Sequence, residues 1–215
     1  LKASVFNTDD AFCQGLMKRL VSSHLVTYGT LASADFNIDA VEATTDGSLI
    51  DVSVHGALSQ LKLRLLGDFN VENALAAVAA MTAIEPEKIE QVLSAVSSLQ
   101  AAPGRMECFQ SPGLATVVVD YAHTPDALAR ALMTCRKHCQ GQLWSVFGCG
   151  GDRDTGKRPL MGRIASELSD FVVLTSDNPR SEPPQAILSE IRAGMTKPPM
   201  LEEIDRSLAI RSVVE

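Results

Sequence analysis

Hydrophobic and polar positions change rhythm part-way along this 215-residue chain. From residue 115 onward, short apolar runs alternate with one-sided helical patterns. ATVVVDYA (115–122) precedes DALARALMTCRKHC (126–139), QLWSVFG (142–148) precedes PLMGRIASELS (159–169), and FVVLTS (171–176) precedes PQAILSEIRAGM (184–195). Strands that each feed an amphipathic helix predict βαβ units on a parallel sheet flanked by helices. Ahead of AAPG (101–104) the rhythm differs. KASVFN (2–7) predicts a strand, DDAFCQGLMKRL (9–20) a helix with acids in its first turn, and residues 35–65 three β-rich runs with a hairpin turn at Asp46-Gly47. VENALAAVAAM (71–81), where Val71, Ala74, Leu75 and Val78 share a face, and PEKIEQVLSAVSSL (86–99) predict two more helices. The expected class is α/β in two domains, 1–101 and 102–215, and SLAIRSVVE (207–215) reads as a final amphipathic helix.

Composition narrows the functional classes. Apolar residues at 46% and charged residues at 21% suit a globular core, and no run of eighteen apolar residues exists to span a membrane. The net charge of −7 creates no field for nucleic acid or an anionic membrane surface, so any phosphate must be met by a local constellation. The five cysteines are odd in number and include no CxxC pair, which fits reduced thiols and a cytoplasmic location. Cys135 and Cys139 fall on one helical stripe with Leu128, Ala131 and Leu132, so they read as core and no metal site is expected. The chain opens on Leu1 and stops inside a helical pattern, which predicts a piece of a longer protein.

Five stretches could carry chemistry. In GDFNVENALAA (67–77), Asn70 and Asn73 stand three apart at a helix start. Their amides offer the donor and acceptor that a purine edge needs, or Asn70 simply caps the helix. In APGRME (102–107), Arg105 follows a Pro-Gly turn and reads either as a phosphate ligand or as a solvated charge. In DYAHTPDAL (120–128), Asp120 ends an apolar strand where a ribose could be bound, His123 occupies the turn, and Thr124-Pro125-Asp126 make a helix start. GDRDTGKR (151–158) matches the GxxxxGK phosphate loop, but its eighth residue is Arg158 where a magnesium-binding hydroxyl is needed, and Asp152 and Asp154 would repel a polyphosphate. The loop still stands at a strand end, and Arg153 in it could converge with Arg180 of SDNPR (176–180) on a carboxylate. SDNPR itself reads either as a ligand-reading strand end or as a surface turn.

Together GDFNVENALAA, APGRME, DYAHTPDAL, GCGGDRDTGKRPLMG and DNPR occur in the order found in the Mur ligases, the ATP-dependent amide-forming enzymes of peptidoglycan synthesis, and the chain resembles that family throughout. The last two motifs are similar to those of the branch that adds meso-diaminopimelate. The resemblance implies the C-terminal part of an α/β ATPase domain over 1–101 and most of a Rossmann-like amino-acid-binding domain over 102–215. It also implies ATP and Mg²⁺ as cofactors, with Asn70, Asn73, Arg105, Asp120 and His123 toward ATP. Arg153, Asp177, Asn178, Pro179 and Arg180 would face diaminopimelate. The expected reaction joins diaminopimelate to the D-glutamate of UDP-N-acetylmuramoyl-L-Ala-D-Glu through an acyl phosphate. By the same resemblance the catalytic groups lie upstream of Leu1 and a further amino-acid-binding segment lies after Glu215, so this chain alone is expected to be inactive, and monomeric. Two rivals stand beside this reading: a folylpolyglutamate synthetase-like ligase and a non-catalytic ligand-binding module.

Overall fold

In the computed structural model, residues 3–19 and 24–214 are described. Lys2, Leu20 and Glu215, which the predicted elements include, lie outside them. The chain divides into two compact units, the first running through Ala101 and the second starting at Ala102.

The first unit is built on a five-stranded sheet in the order β1 (Ala3–Asn7), β2 (His24–Gly29), β3 (Phe36–Thr44), β4 (Gly47–Val54), β5 (Ala57–Leu63), with α1 (Ala11–Met17) between the first two strands. The strands β1, β2 and β3 run parallel, and β3, β4 and β5 form antiparallel hairpins. The sequence pattern does not announce β2. The acids expected in the first turn of α1 stand ahead of it, where the Asp10 carboxylate accepts the Cys13 N–H at 2.7 Å as an N-cap. The hairpin turn falls one residue earlier than Asp46-Gly47, because Thr44 pairs with Gly47 and leaves Thr45-Asp46 as the loop. Gly47 has φ 149°, and a Cβ there would lie 2.0 Å from the Leu63 carbonyl oxygen, so strand crowding requires the glycine. Helix α2 (Asp68–Ile84) and α3 (Ile89–Ala95), each followed or preceded by a 3₁₀ turn, cover the sheet. Phe36, Ile50, Val52 and Leu63 meet Val71, Leu75 and Ala79 in one core.

In the second unit β6 (Glu107–Phe109) and β7 (Val117–Val119) pair antiparallel. This corrects the expectation that residues 115–122 enter the parallel sheet. The turn Ser111–Leu114, closed by Leu114 N–H to the Ser111 carbonyl, gives the VVV run a local partner, and a short hairpin closes at far less entropic cost than a crossover. The chain then runs through α4 (Pro125–His138), β8 (Trp144–Phe147), α5 (Lys157–Leu168), β9 (Phe171–Thr175), α6 (Pro184–Ala193), β10 (Leu201–Glu203) and α7 (Arg206–Val214). The parallel sheet has the order β10-β9-β8. Val172 and Leu174 pack with Leu128, Leu132, Met161, Ala165, Ile187 and Ile191 of the α4–α6 layer, while α7 lies against β8, β9 and β10. With a layer on each face, four successive residues of β9, Val172 to Thr175, are buried, which explains an unbroken apolar strand. Each such fully buried aliphatic side chain contributes roughly 1.5–3 kcal/mol. No helix among the described residues is long and apolar enough to cross a membrane.

Candidate functional site

The parallel pairing of β8 with β9 delivers two loops to the same end of the sheet, residues 148–156 and 176–182. They are docked on each other through backbone. The Gly151 N–H donates to the Asn178 carbonyl at 2.8 Å, and a Cβ on Gly151 would lie 1.9 Å from the Pro179 carbonyl oxygen. Gly148 is equally tight, with its Cβ position 2.0 Å from the Thr175 carbonyl oxygen. Arg180 folds over this contact and donates from Nη1 to the Gly151 carbonyl, so Nε and Nη2 stay uncommitted among the described residues. Arg153, Asp177 and Asn178 are exposed, and their side chains make no hydrogen bond or ion pair among the described residues.

Two residues of these loops hold a left-handed backbone without being glycine, Asp152 at φ 51° and Arg180 at φ 49°. Such conformations cost on the order of 1–3 kcal/mol each and persist where surrounding bonds over-determine them. Those bonds are present. The Asp152 N–H donates to Glu182 Oε1 at 2.6 Å, and the Asp152 carboxylate accepts the Ser181 N–H at 3.2 Å and hydroxyl at 2.6 Å. These hydrogen bonds, from Ser181 above all, hold the Asp152 carboxyl below the usual carboxylate range. The acids of the GDRDTGKR loop are thus turned into the loop itself, Asp154 accepting the Gly156 N–H at 2.9 Å.

Beneath the loops lies Arg158, with 0% side-chain exposure. Nη1 donates to Glu182 Oε2 and Glu190 Oε2, both at 2.8 Å, and Nη2 to Glu182 Oε1 at 2.8 Å and the Gly150 carbonyl at 3.3 Å. Hydrogen bonding to Arg158 pushes the Glu182 carboxyl down to about 2, and Glu182 in turn raises the guanidinium. The sequence reading treats Arg158 as a misfit in a phosphate-loop pattern and starts its helix at Pro159. The readable signal is periodicity: Arg158, Met161, Gly162, Ala165 and Ser166 are the buried stripe of α5. An arginine on that stripe must have partners waiting.

A second group gathers at the end of β7. The Asp120 carboxylate accepts the Met106 N–H through Oδ2 at 3.0 Å, leaving Oδ1 uncommitted among the described residues. Arg105 is exposed, its guanidinium carbon 5.0 Å from the centre of the Tyr121 ring, a cation–π contact that sequence reasoning missed. The His123 ring stands edge-on to Tyr121 with centroids 5.3 Å apart. His123 Nδ1 is 3.0 Å from the Tyr121 carbonyl, and since a carbonyl only accepts, that nitrogen carries the proton. Thr124 caps α4 through the Ala127 N–H at 3.3 Å. Lys157, the lysine of the phosphate-loop pattern, donates from Nζ to the His123 carbonyl at 2.8 Å and so ties this turn to α5.

In the first unit, α2 is preceded by Gly67 at φ 93° rather than by a capping side chain. Asn70 donates from Nδ2 to the Leu66 carbonyl at 2.8 Å, securing the strand-to-helix turn in a way that differs from the expected N-cap. Asn73 is exposed and its side chain makes no hydrogen bond among the described residues.

Residues 104–215 match the Mur ligase, glutamate ligase domain, and residues 2–81 match the Mur ligase middle domain. The chain belongs to the Mur ligase family. It is 42% identical over 197 residues to the UDP-N-acetylmuramoyl-L-alanyl-D-glutamate--2,6-diaminopimelate ligase of Vibrio parahaemolyticus serotype O3:K6 (strain RIMD 2210633), an alignment covering 91% of this chain and 40% of that relative. A solved UDP-N-acetylmuramoyl-L-alanyl-D-glutamate--2,6-diaminopimelate ligase superposes with a TM-score of 0.78 at 38% identity, covering 99% of this chain and 45% of the other. The folylpolyglutamate synthase of Thermotoga maritima superposes with a TM-score of 0.70 at 18% identity, over 97% of this chain and 48% of that one, a likeness of fold alone. This Mur ligase chain therefore spans less than half the length of these relatives.

Donor chemistry bears differently on the two expected cofactors. Asn73, Arg105 and the uncommitted Asp120 oxygen are exposed groups of the types that meet an adenine edge, a phosphate and a ribose hydroxyl. Among the described residues no three or more His, Cys, Asp or Glu side chains gather into a metal-holding group, whereas a Mg²⁺ carried on ATP phosphates needs only one or two protein carboxylates.

Proposed function

We propose that the complete gene product is a ligase that uses ATP to join meso-diaminopimelate to the D-glutamyl carboxylate of UDP-N-acetylmuramoyl-L-Ala-D-Glu in the cytoplasm. The observation that carries the reading is the pair of interlocked loops at adjacent strand ends, which present Arg153 and Arg180 with Asp177 and Asn178 in a chain similar to ligases of that name. Diaminopimelate carries an amino-acid head at each end. The guanidiniums of Arg153 and Arg180 suit its carboxylates, while the Asp177 carboxylate and the Asn178 amide suit its ammonium and remaining oxygens. Pro179 contributes rigidity, its carbonyl closing the turn to the Glu182 N–H at 3.0 Å.

ATP supplies the phosphoryl group that activates the carboxylate. Toward it we assign Asn73 in the first unit and Arg105, Asp120 and His123 in the second, with Asn70 holding the turn from which Asn73 projects. The Arg105 guanidinium stands over the Tyr121 ring, a contact that favours one orientation of its planar fork. The work assigned to this chain in the acceptor site is orientation, holding one amine of diaminopimelate toward the activated carboxylate, and well-oriented reactants gain several kcal/mol of barrier lowering. Lysine would leave the arginine side of the site unpaired, and a site built for a polar group rejects an analogue lacking it.

The test is acceptor-dependent phosphate release by the complete gene product with UDP-N-acetylmuramoyl-L-Ala-D-Glu and ATP. Release with meso-diaminopimelate on the order of 100-fold or more above that with L-lysine is the expected result. Equal rates would remove the assignment of the acceptor.

A further inference from the structure

We infer that Arg158 is a positioning residue for the acceptor amino acid, acting through Glu182 on the backbone that presents Arg153 and Arg180. The inference rests on the acceptor site proposed above and extends it to residues that touch no ligand.

Arg158 is the largest fully buried side chain of the chain's described residues, and it joins three segments: the exit of β8 through Gly150, the loop after β9 through Glu182, and α6 through Glu190. Glu182 spends both carboxylate oxygens on Arg158 and uses Oε1 a second time to accept the Asp152 N–H. Asp152 returns the tie through its carboxylate to Ser181. A chain of hydrogen bonds thus runs Arg158, Glu182, Asp152, Ser181. The two arginines proposed to read the ligand are the immediate neighbours of its members: Arg153 follows Asp152, and Arg180 precedes Ser181. Asp152 and Arg180 are the left-handed non-glycine residues of the two loops, so each needs such restraint to keep its φ.

A purely structural role would not require this wiring. Arg158 could be held by Glu190 alone, and a methionine of similar reach would fill the slot without a charge to compensate. What only the guanidinium supplies is a planar fork that sets the orientation of the Glu182 carboxylate, and thereby the direction of the acceptor presented to the Asp152 N–H. Lysine cannot reproduce that fork. Misplacing a positioned reactant by an ångström costs on the order of 100-fold in rate, so a loosened loop pair should be felt in acceptor use well before it is felt in folding.

The experiment uses the complete gene product and compares wild type with Arg158→Met, Arg158→Lys and Ser181→Ala. For each, KM is measured separately for meso-diaminopimelate, ATP and UDP-N-acetylmuramoyl-L-Ala-D-Glu, alongside the thermal midpoint. Arg158→Met is expected to raise the acceptor KM on the order of tenfold or more, with the other two KM values unchanged, and Arg158→Lys to restore it only in part. Ser181→Ala, at an exposed position remote from the core, is expected to raise the acceptor KM about threefold with an unchanged midpoint. An unchanged acceptor KM in folded Ser181→Ala overturns the inference, as does an Arg158→Met that loses kcat or midpoint with acceptor KM intact. Should Arg158→Met fail to fold, Ser181→Ala decides alone. A wild type indifferent to diaminopimelate would sink the acceptor site and this inference together, whereas a diaminopimelate-dependent wild type with unaltered variants would sink this inference alone.

Discussion

The guanidinium of Arg158 grips the carboxylate of Glu182 by both oxygens, Nη1 to Oε2 and Nη2 to Oε1, each at 2.8 Å. The pair has a consequence for acid stability. Glu182 titrates at about 2 in the fold against its ordinary 4.5, so the unfolded chain binds the proton first as pH falls. The contribution is complete above the ordinary value and is lost as pH drops from about 4.5 toward about 2. Urea midpoints of wild type and Glu182→Gln should differ at pH 7, draw together below about pH 4.5, and meet only toward pH 2. A constant gap would mean that the bond contributes without its charge.

Removing either partner of the pair should not cost the same. Glu182→Ala leaves a wholly buried guanidinium with Glu190 as its remaining carboxylate, whereas Arg158→Met takes the buried charge away with its need for partners. The urea midpoint of Glu182→Ala is therefore expected to fall below that of Arg158→Met.

Glycine spacing in α5 offers a packing test. A Cβ on Gly162 would lie 2.0 Å from the Ile191 carbonyl oxygen of α6, while one on Gly141 would meet nothing within 4 Å. Gly162→Ala is expected to destabilise by about 1–3 kcal/mol in urea unfolding, as overpacking does. Gly141→Ala should stay within about 0.5 kcal/mol of wild type.

Burial pushes the thiols of Cys135 and Cys149 up to about 11. The thiolate is the reactive form, so both should resist alkylation at pH 8 in the native protein and react freely in denaturant. Mass-spectrometric mapping of iodoacetamide adducts checks this, and rapid native labelling of Cys149 would contradict its place in the core.

Much of the second unit was legible in the alternation of apolar strand and one-sided helix, because a strand covered on both faces must be apolar throughout. The strand β7 misled for a local reason. VVV satisfies its backbone with the Glu107–Phe109 run across a Pro-Gly turn, and a three-residue strand leaves too short a pattern to announce itself. The candidate site was half legible. Arg153 and Arg180 stand out as charges after apolar strands, and the pairing of β8 with β9 brings their loops to one end of the sheet. Their supports did not stand out. Glu182 looks like any loop acid, and Gly151 looks like flexibility until the Pro179 carbonyl oxygen is found where its Cβ would be. Arg158 was readable in principle, since the stripe through Met161 and Ala165 passes over it, but a charge on an apolar stripe is easily taken for the helix boundary.

The most direct test of the acceptor site is kcat/KM for meso-diaminopimelate and for L-lysine, measured on wild type and Arg180→Ala in the complete gene product. Arg180 recognising a carboxylate that lysine lacks predicts that the substitution lowers the diaminopimelate value on the order of 100-fold and leaves the lysine value unchanged. If both values fall together, Arg180 serves the Gly151 loop rather than the ligand, and the specificity ascribed to this loop pair is wrong.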